Sequence, residues 1–166
     1  MHEYDFHDSA RFFATASIGT LGSLAYEMNQ RWPVFAGTIK ALEADGLPGE
    51  EVDHLMEGVL IVWHATVKTA HLRLPKLTAA DIELHAKHFA EFLIYRRGET
   101  EPKERQSLRF IQHPPLEAFI AERLREMYGD STRMPVHAYT LYFALMKCFD
   151  QTIAARERYC REHPSR

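Results

Sequence analysis

The feature that most restricts the fold is an apolar run at residues 59–67, inside a longer helix predicted from about 50 to 74. Apolar residues recur there at spacings of three, four and seven, which places them on one helical stripe: Val52, Met56, Val59, Trp63, Val67 and Ala70. Others lie outside that stripe: Leu55, Leu60, Ile61, Val62 and Leu72. A helix that is apolar almost all round is enclosed by other elements. His64 is its one strongly polar side chain, and we expect it to be substantially buried.

Capping and breaking residues mark six further helices around this one. They run from Asp5 or Asp8 to about Gln30, from Pro33 to Ala44, from Thr78 to about Arg97, from Lys103 to Gln112, from Leu116 to Tyr128, and from Pro135 to Glu162. No strand pattern, internal repeat or linker interrupts the series. The sequence therefore predicts an all-α fold, a single compact bundle of six to seven helices around a buried central helix, with residues 1–166 forming one domain.

The first predicted helix has a middle made of small residues: Ala14, Ala16, Ser17, Gly19, Thr20, Gly22 and Ser23. Each glycine inside a helix costs about 1 kcal/mol relative to alanine. Close approach by another helix or a ligand is the usual compensation. We therefore expect a surface here that another molecule covers, and the sequence favours a homodimer or larger homo-oligomer.

Charge limits the classes of partner. The formal net charge is −3, whereas domains that bind duplex nucleic acid carry a basic excess, so we expect no duplex nucleic acid to bind. Residues 1–60 carry three basic and ten acidic side chains, and residues 61–166 carry seventeen and thirteen. This asymmetry can favour association through opposite charges or simply reflect solvated faces of mixed sign.

The cysteines and the hydropathy indicate a cytoplasmic location. Cys148 and Cys160 lie on one predicted helix, about 18 Å apart along its axis, so they cannot form a disulfide with each other. No stretch of about 18 uncharged apolar residues predicts a membrane span. The N-terminal residues lack the positive charge of a secretory signal.

Ten histidines make metal or haem binding the leading alternative to a purely structural role. Asp53, Glu57, His64 and His71 follow one line of the central helix, and Asp81, His85 and His88 follow one line of the next. Facing helices of a bundle build metal sites from such rows, and imidazole in an apolar pocket is a common haem ligand. The candidate ligands are His64, His71, His85, His88, Glu57 and Asp81. The same pattern also fits a hydrogen-bonded core histidine with the others at the surface.

Two further motifs are candidate sites. Glu51 and His54 have the Glu-x-x-His spacing of carboxylate-bridged di-iron bundles, which need it on two helices, and the sequence has one copy inside a helix. The segment from Arg158 to His163 resembles the Arg-x4-6-His motif of HEPN ribonucleases, which are helical bundles, although Tyr159 follows the arginine. The resemblance implies acid-base chemistry at His163 and phosphate stabilisation at Arg158.

No other catalytic signature is present. The sequence has no Gly-x-Ser-x-Gly element, phosphate loop or zinc-type cysteine cluster. The sequence therefore favours a non-catalytic helical protein that acts through protein-protein contacts as an adaptor, regulator or inhibitor, with no cofactor. The alternatives are a metal- or haem-binding bundle that uses the rows on the helices at 50–74 and 78–97, and a HEPN-like ribonuclease.

Overall fold

Seven α-helices and no strand make up the part of the chain that the computed structural model describes, residues 4–98, 109–129 and 135–163. The helices are α1 (Phe6–Thr15), α2 (Ile18–Arg31), α3 (Pro33–Ala44), α4 (Gly49–Trp63), α5 (Ala79–Gly98), α6 (Pro114–Tyr128) and α7 (Val136–Glu162). A π-helical segment, His64–Thr69, continues α4. The predicted all-α fold is confirmed.

The buried central helix is α4, as the apolar run predicts. Five helices contact it: α1, α2, α3, α6 and α7. Val59, Val62 and Trp63 have no measurable exposure. The Trp63 ring meets Trp32 edge-on, with ring centroids 6.3 Å apart. This helix is therefore apolar on every side because other helices enclose it.

The first predicted helix is two helices, so its predicted span to about Gln30 is wrong. Ala16 is extended, with φ −71° and ψ 148°, and ends α1. Ser17 caps α2 by accepting a hydrogen bond at its Oγ from the Thr20 amide, at 3.2 Å. The apolar spacing continues across this corner, which is why periodicity alone joins the two helices.

The central helix also ends earlier than predicted. The π-helical segment stops at Thr69, and His71 follows with φ +52°. The Leu72 amide donates to the Thr66 carbonyl at 2.9 Å and closes the helix end. Residues 71–78 are not helical, so Leu72 and Leu74 reach the core from a loop rather than from the predicted helix.

Helix-breaking and capping residues in the sequence predict other helix boundaries correctly. Pro33 begins α3, and Gly46, with φ +94°, follows its end in a conformation that favours glycine. Thr78 and Asp81 form the predicted capping interaction before α5. The helix predicted over Lys103–Gln112 is wrong where it can be judged, because residues 109–112 are not helical; its remainder lies outside the described residues.

The helix α5 packs on α7. Its anchor is Phe89, which stacks on Phe143 with centroids 4.6 Å apart and planes within 9°. Phe89 also meets Phe110 and Tyr139 at 4.8 Å and 5.3 Å between centroids. This aromatic cluster attaches α5 to one side of the bundle.

A buried ion pair ties the segment before α6 to α7. Asp150 is 1% exposed, and its Oδ2 lies 2.6 Å from Lys147 Nζ. Its Oδ1 accepts from the backbone amides of Gln112 and His113 at 2.9 and 2.8 Å. Lys147 Nζ also donates to the Phe110 carbonyl at 2.5 Å. Both charges are therefore hydrogen-bonded, as the burial of Asp150 and the partial burial of Lys147 require.

None of the helices in the described ranges combines the length and the apolar character that crossing a bilayer requires.

The last helix, α7, packs tightly against α4 at Gly58. A Cβ added at Gly58 would lie 2.5 Å from the Tyr142 hydroxyl oxygen, and Tyr142 is 1% exposed and cannot move aside freely. We expect Gly58→Ala to lower the free energy of unfolding by about 1–3 kcal/mol, the range for overpacked cores, in urea titration followed by circular dichroism.

Gly37→Ala is the matched control, because nothing lies within 4 Å of its added Cβ in α3 and alanine should raise stability there by about 0.5–1 kcal/mol. Adding Tyr142→Phe to Gly58→Ala removes the clashing oxygen and should restore part of the loss. Equal effects of the two alanine substitutions would contradict the close packing of α4 and α7.

Candidate functional site

His64 begins the π-helical segment that continues α4, on the side that faces α1. Its Nδ1 is 3.0 Å from Ser9 Oγ, and its ring stacks on Phe12 with centroids 4.5 Å apart and planes 4° apart. The polar partner of His64 is therefore a hydroxyl from a neighbouring helix. The ring is half-buried, less than the sequence predicts, and Phe12 and Phe13 of α1 both contact it.

The Ser9–His64 pair is closed to a substrate. A hydroxyl beside an imidazole is the arrangement of nucleophilic catalysis, but that chemistry needs an accessible oxygen. Ser9 is 4% exposed. Burial lowers the pKa of His64, and the Lys68 charge lowers it further, so the ring is neutral at neutral pH. We read the pair as a packing and hydrogen-bonding contact between α1 and α4.

The other predicted ligands of the central helix are divided between two places. Glu57 accepts from Arg123 Nη2 of α6 at 2.8 Å. His71 follows the end of the helix and is exposed, so it is no longer on the line of His64 and Glu57. That line needed an α-helix through residue 71, and the helix end at Thr69 breaks it.

The Glu-x-x-His residues face α6. The Tyr128 hydroxyl donates to the Glu51 carboxylate, and His54 Nδ1 lies 3.4 Å from Arg123 Nη2. The guanidinium of Arg123 therefore contacts both His54 and Glu57. Arg123 was not recognised from the sequence, because a partner 66 positions away leaves no local spacing signal.

The second predicted row lies on α5 and does not converge. Asp81 accepts from the Thr78 amide and hydroxyl, both at 2.7 Å, and so serves as a cap. His85 is buried, and its Nδ1 has no hydrogen-bond partner among the described residues. Burial lowers its pKa, with smaller contributions from His88 and Lys147. His88 itself is exposed.

Across the described ranges, no three His, Cys, Asp or Glu side chains are placed to hold a metal ion together. His64, His71, His85, His88, Glu57 and Asp81 are instead distributed among a contact with α1, a loop, a buried position on α5, the surface, an ion pair and a helix cap. The metal alternative draws no support from this arrangement, and the haem alternative stays a prediction.

The Arg158–His163 segment ends α7 at the surface. Both side chains are exposed. The ring of His163 stacks on Tyr159, with centroids 4.4 Å apart, and its Nδ1 lies 3.1 Å from the Tyr159 carbonyl oxygen. These contacts are local to one helix end.

The cysteines do not form a reactive pair. Both lie on α7 as free thiols, Cys148 buried and Cys160 exposed. Burial raises the pKa of the Cys148 thiol to about 12, so this thiol stays protonated at neutral pH and is a poor nucleophile.

The most distinctive surface is on α2, and we call it the α2 face: Ile18, Gly19, Gly22, Ser23 and Tyr26. Ile18 is 90% exposed and Tyr26 67%. Residues 12–26 contain no charged side chain and no histidine. The Ser23 hydroxyl donates to the Gly19 carbonyl at 3.0 Å, so this polar group is satisfied within its own helix. The face presents apolar groups and glycine backbone to solvent.

The glycines of the small-residue stretch lie on this exposed face of α2. A Cβ added at Gly22 would meet nothing within 4 Å, and one at Gly19 would meet only the Ser17 hydroxyl at 3.9 Å. The predicted close approach is therefore not made by any other helix that the structure describes.

The fold and these contacts define an all-α protein. No protein-family model, curated protein or solved structure matches the chain.

His64 provides a direct test of the structural role. His64→Gln should lower the free energy of unfolding by about 1 kcal/mol through the altered hydrogen bond to Ser9. His64→Ala should cost more, since it adds a cavity and leaves the buried Ser9 hydroxyl without its partner. The measurement is a thermal melt of the wild type with and without chelator, compared with melts of both variants. A wild-type melting temperature that falls to the variant value with chelator would show a metal ligand instead.

Acid should destabilise the protein before its carboxylates titrate. Burial lowers the pKa values of His64, His85 and His113, and for His113 the Glu157 and Asp150 carboxylates offset part of this effect. His113 Nδ1 also accepts from the Leu116 amide at 3.3 Å to cap α6, and protonation would remove that acceptor.

The sign follows from linkage. The unfolded chain takes up protons at these histidines first, below about pH 6.5, so stability present at neutral pH is lost as the pH falls towards the lower folded-state pKa values. Urea titrations at pH 7.5, 6.5 and 5.5 should give decreasing free energies of unfolding, by up to about 1.4 kcal/mol per pH unit for each proton taken up. A free energy of unfolding that rises as the pH falls from 7.5 to 5.5 would refute the assignment of neutral buried imidazoles.

Proposed function

We propose that this chain is a non-catalytic helical protein that acts through protein-protein contacts, as an adaptor, regulator or inhibitor, and that it associates with itself through the α2 face. The observation that carries the proposal is the exposure of Ile18 and Tyr26 on a face without charge. Contiguous exposed apolar surface marks interaction sites, and charged residues are depleted at interface cores where tyrosine is enriched.

The orientation of α2 supports this proposal. The opposite side of the helix carries Leu24 and Met28, which are buried in the core. At 100° per residue, the α2 face covers an arc of about 140° directed away from them. Packing within the chain therefore uses one side of α2 and leaves the apolar second side for another molecule.

A second copy suits this face better than a charged partner does. In a contact with twofold symmetry, the same surface of each copy is in contact, so a charged face would meet like charges and be repelled. Ile18, Gly22 and Tyr26 carry no charge, and the open space above the two glycines lets a helix approach closely. Two α2 helices related by a twofold axis can therefore pack with their apolar side chains flanking a close backbone crossing.

Sedimentation velocity tests the proposal. The wild type should show a species of twice 19.3 kDa that dissociates on dilution. The double variant Ile18→Asp, Tyr26→Asp should sediment as the monomer over the same concentration range, since two carboxylates per copy would be buried and repel each other. Circular dichroism should report an unchanged helix content, because both side chains are exposed.

The matched control is Ile94→Asp, Tyr95→Asp on α5. It replaces the same residue types at 71% and 62% exposure, away from α2, and should leave association intact. A wild type that remains a monomer at all concentrations would refute self-association. Loss of the dimer in the α5 variant alone would refute the α2 face as the contact.

A further inference from the structure

A cleft lies beside the non-helical segment that follows the π-helical turn, and we call it the 73–76 cleft. Its lining combines an apolar floor with basic side chains: Arg31, Trp32, Val67, Leu72, Arg73, Leu74, Pro75 and Lys76. Trp32, Val67 and Leu72 are buried beneath it. Trp32 Nε1 donates to the Pro75 carbonyl at 3.2 Å, which holds the segment against the helices.

The charge around this cleft is strongly positive. Arg73 and Lys76 are exposed and form no ion pair with any described residue. Arg31 and Lys68 both pair with one carboxylate, Glu27, at 3.0 and 2.8 Å. Arg31, Arg73 and Lys76 thus give the cleft lining three cations and no carboxylate among the described residues, although the whole chain has a net charge of −3.

The backbone of the segment is also available. The amides of Arg73, Leu74, Lys76 and Leu77 donate to no group among the described residues. Non-helical backbone with free amides can donate hydrogen bonds to the carbonyls of an added peptide segment, while the cleft beside it accepts side chains of that peptide. The floor offers aliphatic surface and buried rings rather than exposed aromatic faces, so it lacks the stacking platforms of a single-stranded nucleic-acid site.

We propose that the 73–76 cleft binds an extended acidic peptide segment of a partner protein. Its carboxylates would meet Arg31, Arg73 and Lys76, and an apolar side chain would rest on Val67 and Leu74. The surface is separate from the α2 face, because Arg31 lies about 150° around the helix from that face, so the inference does not rest on self-association.

The test is a fluorescence-anisotropy titration of the full chain into a labelled peptide of sequence Glu-Asp-Leu-Glu-Leu-Asp-Glu. We expect saturable binding that weakens with added salt, since the charges at the rim are solvent-exposed. Arg73→Glu, Lys76→Glu should weaken it by at least about tenfold, because like charges then face the peptide. The same-sign variant Arg73→Lys, Lys76→Arg should retain most of the affinity.

Arg96→Glu, Arg97→Glu on α5 is the control for net charge, since it reverses two adjacent exposed cations elsewhere and should bind as the wild type does. A peptide with lysine in place of each acid should not bind. The inference is overturned if the acidic peptide fails to bind the wild type, if both charge-reversal variants weaken binding equally, or if a single-stranded RNA oligomer competes for the cleft more strongly than the peptide does. Sedimentation of the Arg73→Glu, Lys76→Glu variant should match the wild type, which separates this result from the α2 face.

Discussion

Enclosure of α4 is the constraint on which the rest of the fold depends. Its middle is apolar on every side, and burying each large apolar side chain contributes about 1.5–3 kcal/mol. No single neighbour can cover such a helix, so α1, α2, α3, α6 and α7 all contact it. Each of these five helices packs an apolar side on α4 or on the core around it. The sides that face away from the core form the exposed surface. The uncharged side of α2 is exposed because its core-facing side is already used.

Polar contacts fix the positions of the surrounding helices relative to one another. Asp150 connects α7 to the backbone that leads into α6, and Arg123 connects α6 to His54 and Glu57 on α4. A buried charge that loses its partner is costly, so a shift of one helix along another would be penalised at these points. Apolar packing draws the helices together without choosing one register as strongly. The ion pairs thus add specificity to a core whose stability comes mainly from burial.

The sequence predicts features that depend on local chemistry and misses those that depend on distant contacts. The limits of α3 follow from Pro33 and Gly46, and the start of α5 follows from Thr78 and Asp81, because each signal acts within one turn. The corner at Ala16 was missed although Ser17 and Thr20 form a cap, since the apolar spacing hides it.

The candidate site was less predictable than the fold. Periodicity placed His64 and His71 on one line, but the π-helical turn and the helix end remove His71 from it. The partners of His64 and Glu57 come from other helices, Ser9 and Arg123, and no spacing in a single sequence indicates such pairs. The 73–76 cleft was missed for the same reason, because α2 and a loop 42 residues later bring Arg31 and Arg73 to one cleft.

The attachment of α5 has a consequence for how the molecule opens. This helix packs on α7 through the Phe89 cluster and is not among the five that enclose α4. We therefore expect it to separate from α7 at a lower free energy than global unfolding, while the central core stays closed. Amide hydrogens of α5 would then exchange with solvent through this partial opening, and those of α4 only when the whole bundle unfolds. Such exchange would divide the molecule into two levels of cooperativity, an inner bundle and an outer helix.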